Sequence, residues 1–359
     1  MTHFGLHQTL IKLNPLSSIT WSLLYHLSLD DRARILMSRT EVMHVVLDAI
    51  LKEGDHATKI ALAVNLSTTL RHSKIVVSDK YFSGILAKAL SKKDLNLMKV
   101  LRNATNLCQP ENSNFDNLIR ECCQVIPKMS ECFQAETVGF LSNLECVDWV
   151  QLSVREFLSW VIGCLKTASC APNVQLSALL LLARISCKLE SAKLILEFSL
   201  VSPLLALLRA QQEDDEFVLQ VLYLLYQLSR HGESRHLILK LAPEIPAYLL
   251  DLMTDQNAQV RRVCEATLDL IAEEDKSRKE MIKEERFRLQ NAQWIEAVTK
   301  SRFPSAGNVA SSNSSLMGLY LRDADMLDHE LSEVMSASSL GSPHSPRSLG
   351  SPERSLDVY

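Results

Sequence analysis

Seven short segments of this chain read as one helix written seven times, and that repetition limits the possible fold more than any other feature. They are Leu23-Leu-Tyr-His26-Leu-Ser28, Leu62-Ala-Val-Asn65-Leu-Ser67, Val100-Leu-Arg-Asn103-Ala-Thr105, Phe140-Leu-Ser-Asn143-Leu-Glu145, Leu181-Leu-Ala-Arg184-Ile-Ser186, Leu224-Leu-Tyr-Gln227-Leu-Ser229 and Ala266-Thr-Leu-Asp269-Leu-Ile271. Aligned on the polar residue (His26, Asn65, Asn103, Asn143, Arg184, Gln227, Asp269), successive copies lie 39, 38, 40, 41, 43 and 42 residues apart. Five of the seven carry a small hydroxyl residue two places after that position. Self-similarity at a period near forty marks a solenoid, whose units bury their apolar faces only by stacking on one another.

Ahead of each segment lies a second apolar stretch at spacings of three and four, such as Val42, Val45, Val46, Ala49 and Ile50, or Leu204, Leu205, Leu207 and Leu208. That spacing predicts a second helix per unit. Polar turns join the two: Lys52-Glu-Gly-Asp55, Ser91-Lys-Lys-Asp94, Gln211 to Glu216 and Thr254-Asp-Gln-Asn257. Gly84, Pro203 and Pro246 stand at the start of the middle helix, where Gly permits a corner and Pro costs no hydrogen bond, so a shorter helix is expected before it. Three helices per unit favour an armadillo stack over HEAT repeats. The expected fold is therefore all-α, an armadillo-repeat superhelical solenoid of about seven repeats over residues 1–300. Residues 1–300 hold only six Gly and seven Pro, too few turn formers for a large β architecture.

From residue 301 the composition changes. The last 59 residues contain 15 Ser and eight Gly or Pro, and are expected to form a mostly disordered tail (301–359). One stretch, near 316–335, places Leu316, Leu319, Tyr320, Leu327, Leu331, Val334 and Met335 at helical spacing among acidic residues. It reads either as an acidic amphipathic helix that docks on a partner or on the solenoid, or as a transient helix without consequence. Ser342, Ser345 and Ser351 each precede Pro and are candidate sites for proline-directed phosphorylation. Phosphates there would make the tail more negative and let it compete for basic groups such as Lys99 and Arg102.

The net charge is −4, with 34 basic and 35 acidic residues in the first 300, so nucleic acid is not expected as the main partner. Nine Cys without a C-x-x-C pair argue against zinc sites and disulfides and for reduced thiols in the cytosol, with adjacent Cys122 and Cys123 as packing residues. The apolar runs fall short of the length of a membrane span, and no basic start with an apolar block opens the chain, so no direct membrane insertion is expected. Phosphate loops, zinc-binding His pairs and nucleophile motifs are absent, and the ten His are scattered, so neither an enzyme nor a cofactor is expected.

Binding residues are sought instead on the third helices. Asn65, Asn103 and Asn143, with Gln227, could offer side-chain amides, each both donor and acceptor, to the backbone of an extended peptide in the groove. Lys99 and Arg102 would lie beside them. Alternatively these amides hydrogen-bond to neighbouring turns and brace the stack. The positions four before the Asn residues are Ala61, Lys99 and Gly139 rather than the Trp of nuclear import receptors, which argues against a nuclear-signal groove. The acidic turn Glu213, Asp214, Asp215 and Glu216 reads as a solvated loop or as a site for a basic partner segment.

Gln211-Gln-Glu-Asp-Asp-Glu-Phe217, Pro246-Ala-Tyr-Leu-Leu-Asp-Leu-Met253, Val260-Arg-Arg-Val-Cys264, Thr267-Leu-Asp-Leu-Ile-Ala-Glu273 and Asn291-Ala-Gln-Trp294 together resemble the C-terminal armadillo region of the kinesin-associated protein family. Leu23-Leu-Tyr-His-Leu-Ser-Leu-Asp-Asp-Arg32 fits it as well. The similarity runs from about residue 20 to 298 and is dense from 204 to 296. The resemblance implies a non-catalytic accessory subunit of heterotrimeric kinesin-II, without cofactor, that binds the tail regions of the motor subunits. It would link the motor to cargo, including intraflagellar transport proteins during cilium assembly. It implies a cytoplasmic location on the microtubule cytoskeleton and in the cilium. The chain starts inside the family's repeat array and its Ser-Pro tail matches poorly, so a fragment or a shortened paralogue is expected. A motor-independent armadillo scaffold, catenin-like or regulatory, remains the other reading.

Overall fold

The computed structural model describes residues 17–302, apart from 53–56, 111–114, 146, 153 and 168. The expected tail helix at 316–335 and Ser342, Ser345 and Ser351 lie outside the described residues. Every regular element among the described residues is helical. The described chain enters on a third helix, α1 (Ser18–Ser28). A three-helix unit follows, α2 (Asp31–Met37), α3 (Val42–Lys52) and α4 (Ala57–Leu66), then another, α5 (Leu70–Val76), α6 (Phe82–Lys92) and α7 (Leu95–Leu107). Next come two pairs, α8 (Asp116–Val125) with α9 (Glu131–Ser142), and α10 (Arg155–Lys166) with α11 (Pro172–Ile185). Two full units return: α12 (Leu189–Leu196), α13 (Val201–Ala210), α14 (Asp215–Ser229), and α15 (Gly232–Leu241), α16 (Ile245–Leu252), α17 (Ala258–Ala272). Helices α18 (Lys276–Gln290) and α19 (Ala292–Arg302) end the described chain.

Two units thus depart from the three-helix expectation among the described residues. Between α9 and α10 the described residues form no short first helix, yet they bury Val147, Trp149, Leu152 and Val154. Trp149 stacks on Phe157 of α10 at 6.5 Å. Apolar burial is kept while the regular backbone is lost.

The polar turns before the third helices end in side-chain caps. Asp94 accepts from the backbone N–H groups of Asn96 and Leu97, Asp214 from those of Glu216 and Phe217, and Asn257 from that of Gln259. Each satisfies donors that a helix start would leave unpaired. Lys93 takes a left-handed conformation (φ 55°) to close α6 just before Asp94. Pro203 and Pro246 fall in the first turns of α13 and α16, as expected. Gly84 does not form a corner. It lies within the first turn of α6, where a Cβ would come 3.3 Å from Leu51 Cδ2, so its service is close approach between α3 and α6.

The core is a continuous apolar seam rather than a central cluster. Third helix packs on third helix from α1 through α4, α7, α9, α11 and α14 to α17. Polar contacts repeat with the same period: His44 Nδ1 meets the Tyr81 hydroxyl at 3.1 Å, Arg155 donates to Glu197 at 2.7 Å, and Asn257 donates to Asp215 at 3.0 Å, across 37, 42 and 42 residues. Each joins equivalent places in adjacent units, which is how a stack without long-range crossovers holds its register.

Candidate functional site

Every third helix carries its ladder residue near its C-terminal end, where the last carbonyls have no partner within the helix. Asn65 Nδ2 donates to Ser28 Oγ of the preceding unit at 2.9 Å. Asn103 Nδ2 donates to Ser67 Oγ at 3.2 Å and to the Val64 carbonyl at 3.4 Å. Asn143 Nδ2 donates to the Arg102 carbonyl at 3.1 Å and to Thr105 Oγ1 at 3.4 Å. The accepting hydroxyls are the residues found two places after the preceding ladder position. They pass the interaction on: Ser28, Ser67 and Thr105 donate to the carbonyls of Tyr25, Val64 and Leu101 at 2.6, 2.8 and 2.8 Å. An amide, a hydroxyl and a helix-terminal carbonyl form a chain in which each bond polarises the next.

Farther along the chemistry changes and the positions stay. Where the hydroxyl is replaced by Glu145, the next ladder residue is Arg184, and the two form an ion pair at 3.2 Å while Arg184 Nε donates to the Ser142 carbonyl at 3.3 Å. Gln227 Oε1 accepts from Arg230 at 3.2 Å and from the Cys187 thiol at 3.7 Å. Asp269 pairs with Arg286 of α18 at 2.6 Å. The recurring hydroxyl was visible in the sequence, but only the fold shows it to be the acceptor of the next unit's amide. With both N–H bonds of Asn103 and Asn143 directed at the preceding unit, these side chains retain their oxygens as acceptors.

Arg102 is not an open cation. Its guanidinium lies over Gly139, where a Cβ would come 2.6 Å from Arg102 Nε, and it pairs with Glu136 at 3.3 Å, both side chains about one-fifth exposed. Gly139 is thus the space that lets Arg102 cross to the next third helix, a role the sequence did not reveal. Lys99 is half-buried on the same helix, with no carboxylate at ion-pair distance among the described residues.

The acidic turn is divided by the fold. Asp214 caps α14, Asp215 and Glu216 occupy its first turn, where carboxylates complement the positive end of the helix, and Asp215 accepts from Asn257 of the next unit. Glu216 is solvent-accessible yet surrounded, so loss of hydration pushes its carboxyl up, Asp214 adds to this, and Arg102 partly offsets it.

Cys122 and Cys123 are both buried, as expected of packing residues. Burial raises Cys122 well above the ordinary thiol value and Cys123, Cys164 and Cys264 to about 12. Among the described residues, no group of three or more His, Cys, Asp or Glu side chains is placed to hold a metal ion. No single described helix is long and apolar enough to cross a membrane.

Solved structures share this architecture. An engineered protein from a structural genomics programme superposes with a TM-score of 0.59 at 18% identity, covering 78% of this chain and 70% of that one. A designed armadillo repeat protein, solved in complex with the peptide (KR)4, gives 0.52 at 17% identity, covering 65% and 100%. A second engineered protein gives 0.52 at 18%, covering 66% and 98%. At these identities the likeness shows the fold, an armadillo stack. The family model described as kinesin-associated protein (KAP) matches residues 3–330. A match over nearly the whole length, on a chain whose units stack as armadillo repeats, shows that the chain belongs to the kinesin-associated protein family.

Proposed function

We propose that this chain is a non-catalytic adaptor of heterotrimeric kinesin-II, binding the tail regions of the motor subunits and linking the microtubule motor to cargo. Intraflagellar transport proteins are among the proposed cargo, so the proposed setting is the cytoplasm, the microtubule cytoskeleton and the cilium. The family match across residues 3–330 carries this reading. A long stack of apolar-cored units with a polar, side-chain-rich row along it suits binding extended partners. The test is co-purification of the full chain with recombinant kinesin-II motor tails. Retention in a stoichiometric complex is expected; loss of all motor binding would leave a motor-independent armadillo scaffold.

The residues proposed to meet partners are Asn65, Lys99, Arg102, Asn103, Asn143 and Gln227 along the third helices. The direction of the Asn amides supports a narrower role than the sequence suggested: their oxygens accept from a partner while their N–H groups hold the stack. For the turn, Glu213 and Glu216 are the proposed contacts for a basic segment, because Asp214 and Asp215 already serve α14 and Asn257. Replacing Glu213 and Glu216 with Gln should weaken partner binding and flatten its salt dependence, and equal affinity at low salt would remove the turn from the site. Phosphorylation at Ser342, Ser345 and Ser351 is proposed to alter partner affinity. Equal affinities for the wild type, triple Ala and triple Asp forms would reject it.

A further inference from the structure

Charge is distributed unevenly along the stack. The whole chain carries −4, yet the unit over residues 70–107 holds eight basic and two acidic residues. Three of these cations are engaged: Lys80 pairs with Asp48 at 3.3 Å, Arg102 pairs with Glu136, and Lys88 donates to the Ile50 carbonyl. Arg71, Lys74, Lys92, Lys93 and Lys99 have no carboxylate at ion-pair distance among the described residues. An excess of one sign repels itself and attracts the other sign from solution.

The fold sorts these five cations. Arg71 and Lys74 are exposed on α5, before the N-terminal end of α6. Lys92 and Lys93 are exposed at the C-terminal end of α6, about 15 Å away at about 1.5 Å per residue, where the turn leads into α7. Helix α8 packs on α6 start to start, with the Phe82 and Phe115 rings 5.1 Å apart, and the two helices are 11 and 10 residues long. Exposed Lys128, in the single turn Ile126–Lys128 that follows α8, therefore stands beside Lys92 and Lys93, about one helix spacing of 8–10 Å away. Lys99 and exposed Asn96, three residues apart, share one flank of α7 just past the turn. Lys93 itself has φ 55° and ψ 40°, a left-handed conformation in which a side chain is strained and glycine is the usual helix-ending residue. The negative end of α6 favours a nearby cation, and Lys92 already supplies one. Lys93 adds charge at the expense of backbone comfort, which points to a use outside the fold.

We propose that Lys92, Lys93 and Lys128, with Lys99 and Asn96 beside them, form a docking site for a short, extended acidic segment of a partner polypeptide. Its carboxylates meet the ammonium groups, and the Asn96 amide, both donor and acceptor, meets its backbone. The size of the basic zone selects this occupant. Residues 108–145 carry six acidic residues against two basic ones, and Glu131 follows Lys128 closely. A bilayer surface or a nucleic-acid duplex presents anionic charge over a broad face and would meet those carboxylates. A single strand of about four or five residues, at about 3.3 Å each, spans the lysines without reaching beyond them. The site goes beyond the adaptor reading, because only Lys99 belongs to the third-helix row and the chemistry holds whichever partner is carried.

The probe is fluorescein-labelled decaglutamate, titrated by anisotropy with the full chain at physiological salt. Saturable binding that weakens steeply with added salt is expected. The double variant Lys92→Glu with Lys93→Glu should weaken it by about tenfold or more, and Lys128→Glu a few-fold. Arg71→Glu with Lys74→Glu changes the net charge equally but lies beyond the screening length of about 8 Å, so it should change affinity by less than about twofold. Lys93→Gly should raise the melting temperature while weakening the peptide a few-fold, a split that a purely structural lysine would not give. No saturable binding by the wild type, or equal losses in the two double variants, would overturn the proposal. Tighter binding of phosphatidylserine vesicles or duplex DNA, lost in the Lys92 and Lys93 variant, would give the site to that ligand and displace the acidic segment. Binding that emerges only on deletion of residues 303–359 would give it to the chain's own acidic tail and equally displace the partner. Motor co-purification with the same double variant keeps this test separate from the adaptor reading.

Discussion

Helices α14 and α18 are both 15 residues long, and almost everything else about them differs. In α14 every residue from Phe217 to Ser229 is buried; in α18 only Ile282 is. The first is buried against the third helices before and after it and against the middle helix of its own unit, which together cover its apolar side chains. The second is helical through local preference: Lys, Arg, Glu and Leu are strong helix formers, Asp275 caps its start by accepting from the Ser277 N–H at 3.0 Å, and Glu285 pairs with Arg288 at 2.9 Å. The same secondary structure therefore serves as scaffold in one place and as solvated surface in the other. Stability should be concentrated in the third-helix row, and the end of the stack should tolerate change.

The largest expected effect tests that division directly. Leu224→Ala or Leu228→Ala, each at a fully buried site, should lower stability by about 2–5 kcal/mol through lost transfer energy and a residual cavity. Phe287→Ala or Met281→Ala in α18, both exposed, should stay within about 0.5 kcal/mol of the parent. Urea unfolding of the four variants decides it. Equal losses in both helices would mean that α18 belongs to the cooperative core.

A smaller effect is expected where Arg102 crosses from one third helix to the next. Gly139→Ala puts a Cβ 2.6 Å from Arg102 Nε. The side chain must move and its pairing with Glu136 be lost, at a cost of about 1–3 kcal/mol as for other overpacked sites. In an Arg102→Ala background the same change should cost much less, because the obstructing group is gone. A double-mutant cycle measures the difference, and an additive result would show that Arg102 is not what Gly139 accommodates.

Asn143→Ala comes next, at about 1–3 kcal/mol, the range for leaving a buried acceptor unpaired. The Arg102 carbonyl and Thr105 hydroxyl would lose their donor. The expected signature is a fall in the unfolding midpoint with no ligand present. An unchanged midpoint together with weakened partner binding would turn the ladder back into a pure recognition row.

The sequence displayed the period and the third helices plainly, because those segments share letters, and it displayed the polar turns that contain Asp94, Asp214 and Asn257, though not that these residues cap the helices after them. It did not display direction. Whether Asn103 faces a ligand or Ser67 depends on how two helices 36 residues apart are rotated against each other, and periodicity fixes spacing without fixing facing. Gly84 and Gly139 were opaque for the same reason: their importance lies in Leu51 and Arg102, which approach from other helices. The absence of a first helix among the described residues between α9 and α10 escaped notice because Val147, Trp149 and Leu152 bury apolar surface without a helical backbone. Helix α18 lacks the repeat's letters, so its charged sequence pointed to no place in the stack.

The subtlest expected difference between the packed row and the exposed end appears only in alkali. Burial raises the thiols of Cys123 in α8 and Cys264 in α17 to about 12, against an ordinary value of 9.0, and α18 contains no cysteine. A folded-state pKa above the unfolded value makes folding favour the neutral thiol. The contribution is complete below pH 9.0 and lost as pH rises from there toward about 12, because the unfolded chain ionises first. Stability should thus be insensitive to these groups at neutral pH and decline above pH 9. Cys123→Ala and Cys264→Ala should flatten that decline even though each lowers stability at pH 7. At pH 8 a thiol reagent should label exposed Cys132 and Cys187 quickly, and Cys122, Cys123 and Cys264 only at the rate at which the row opens. Rapid labelling of Cys264 under native conditions would show that the last repeat opens with α18, and would move the boundary between scaffold and surface one unit toward the N-terminus.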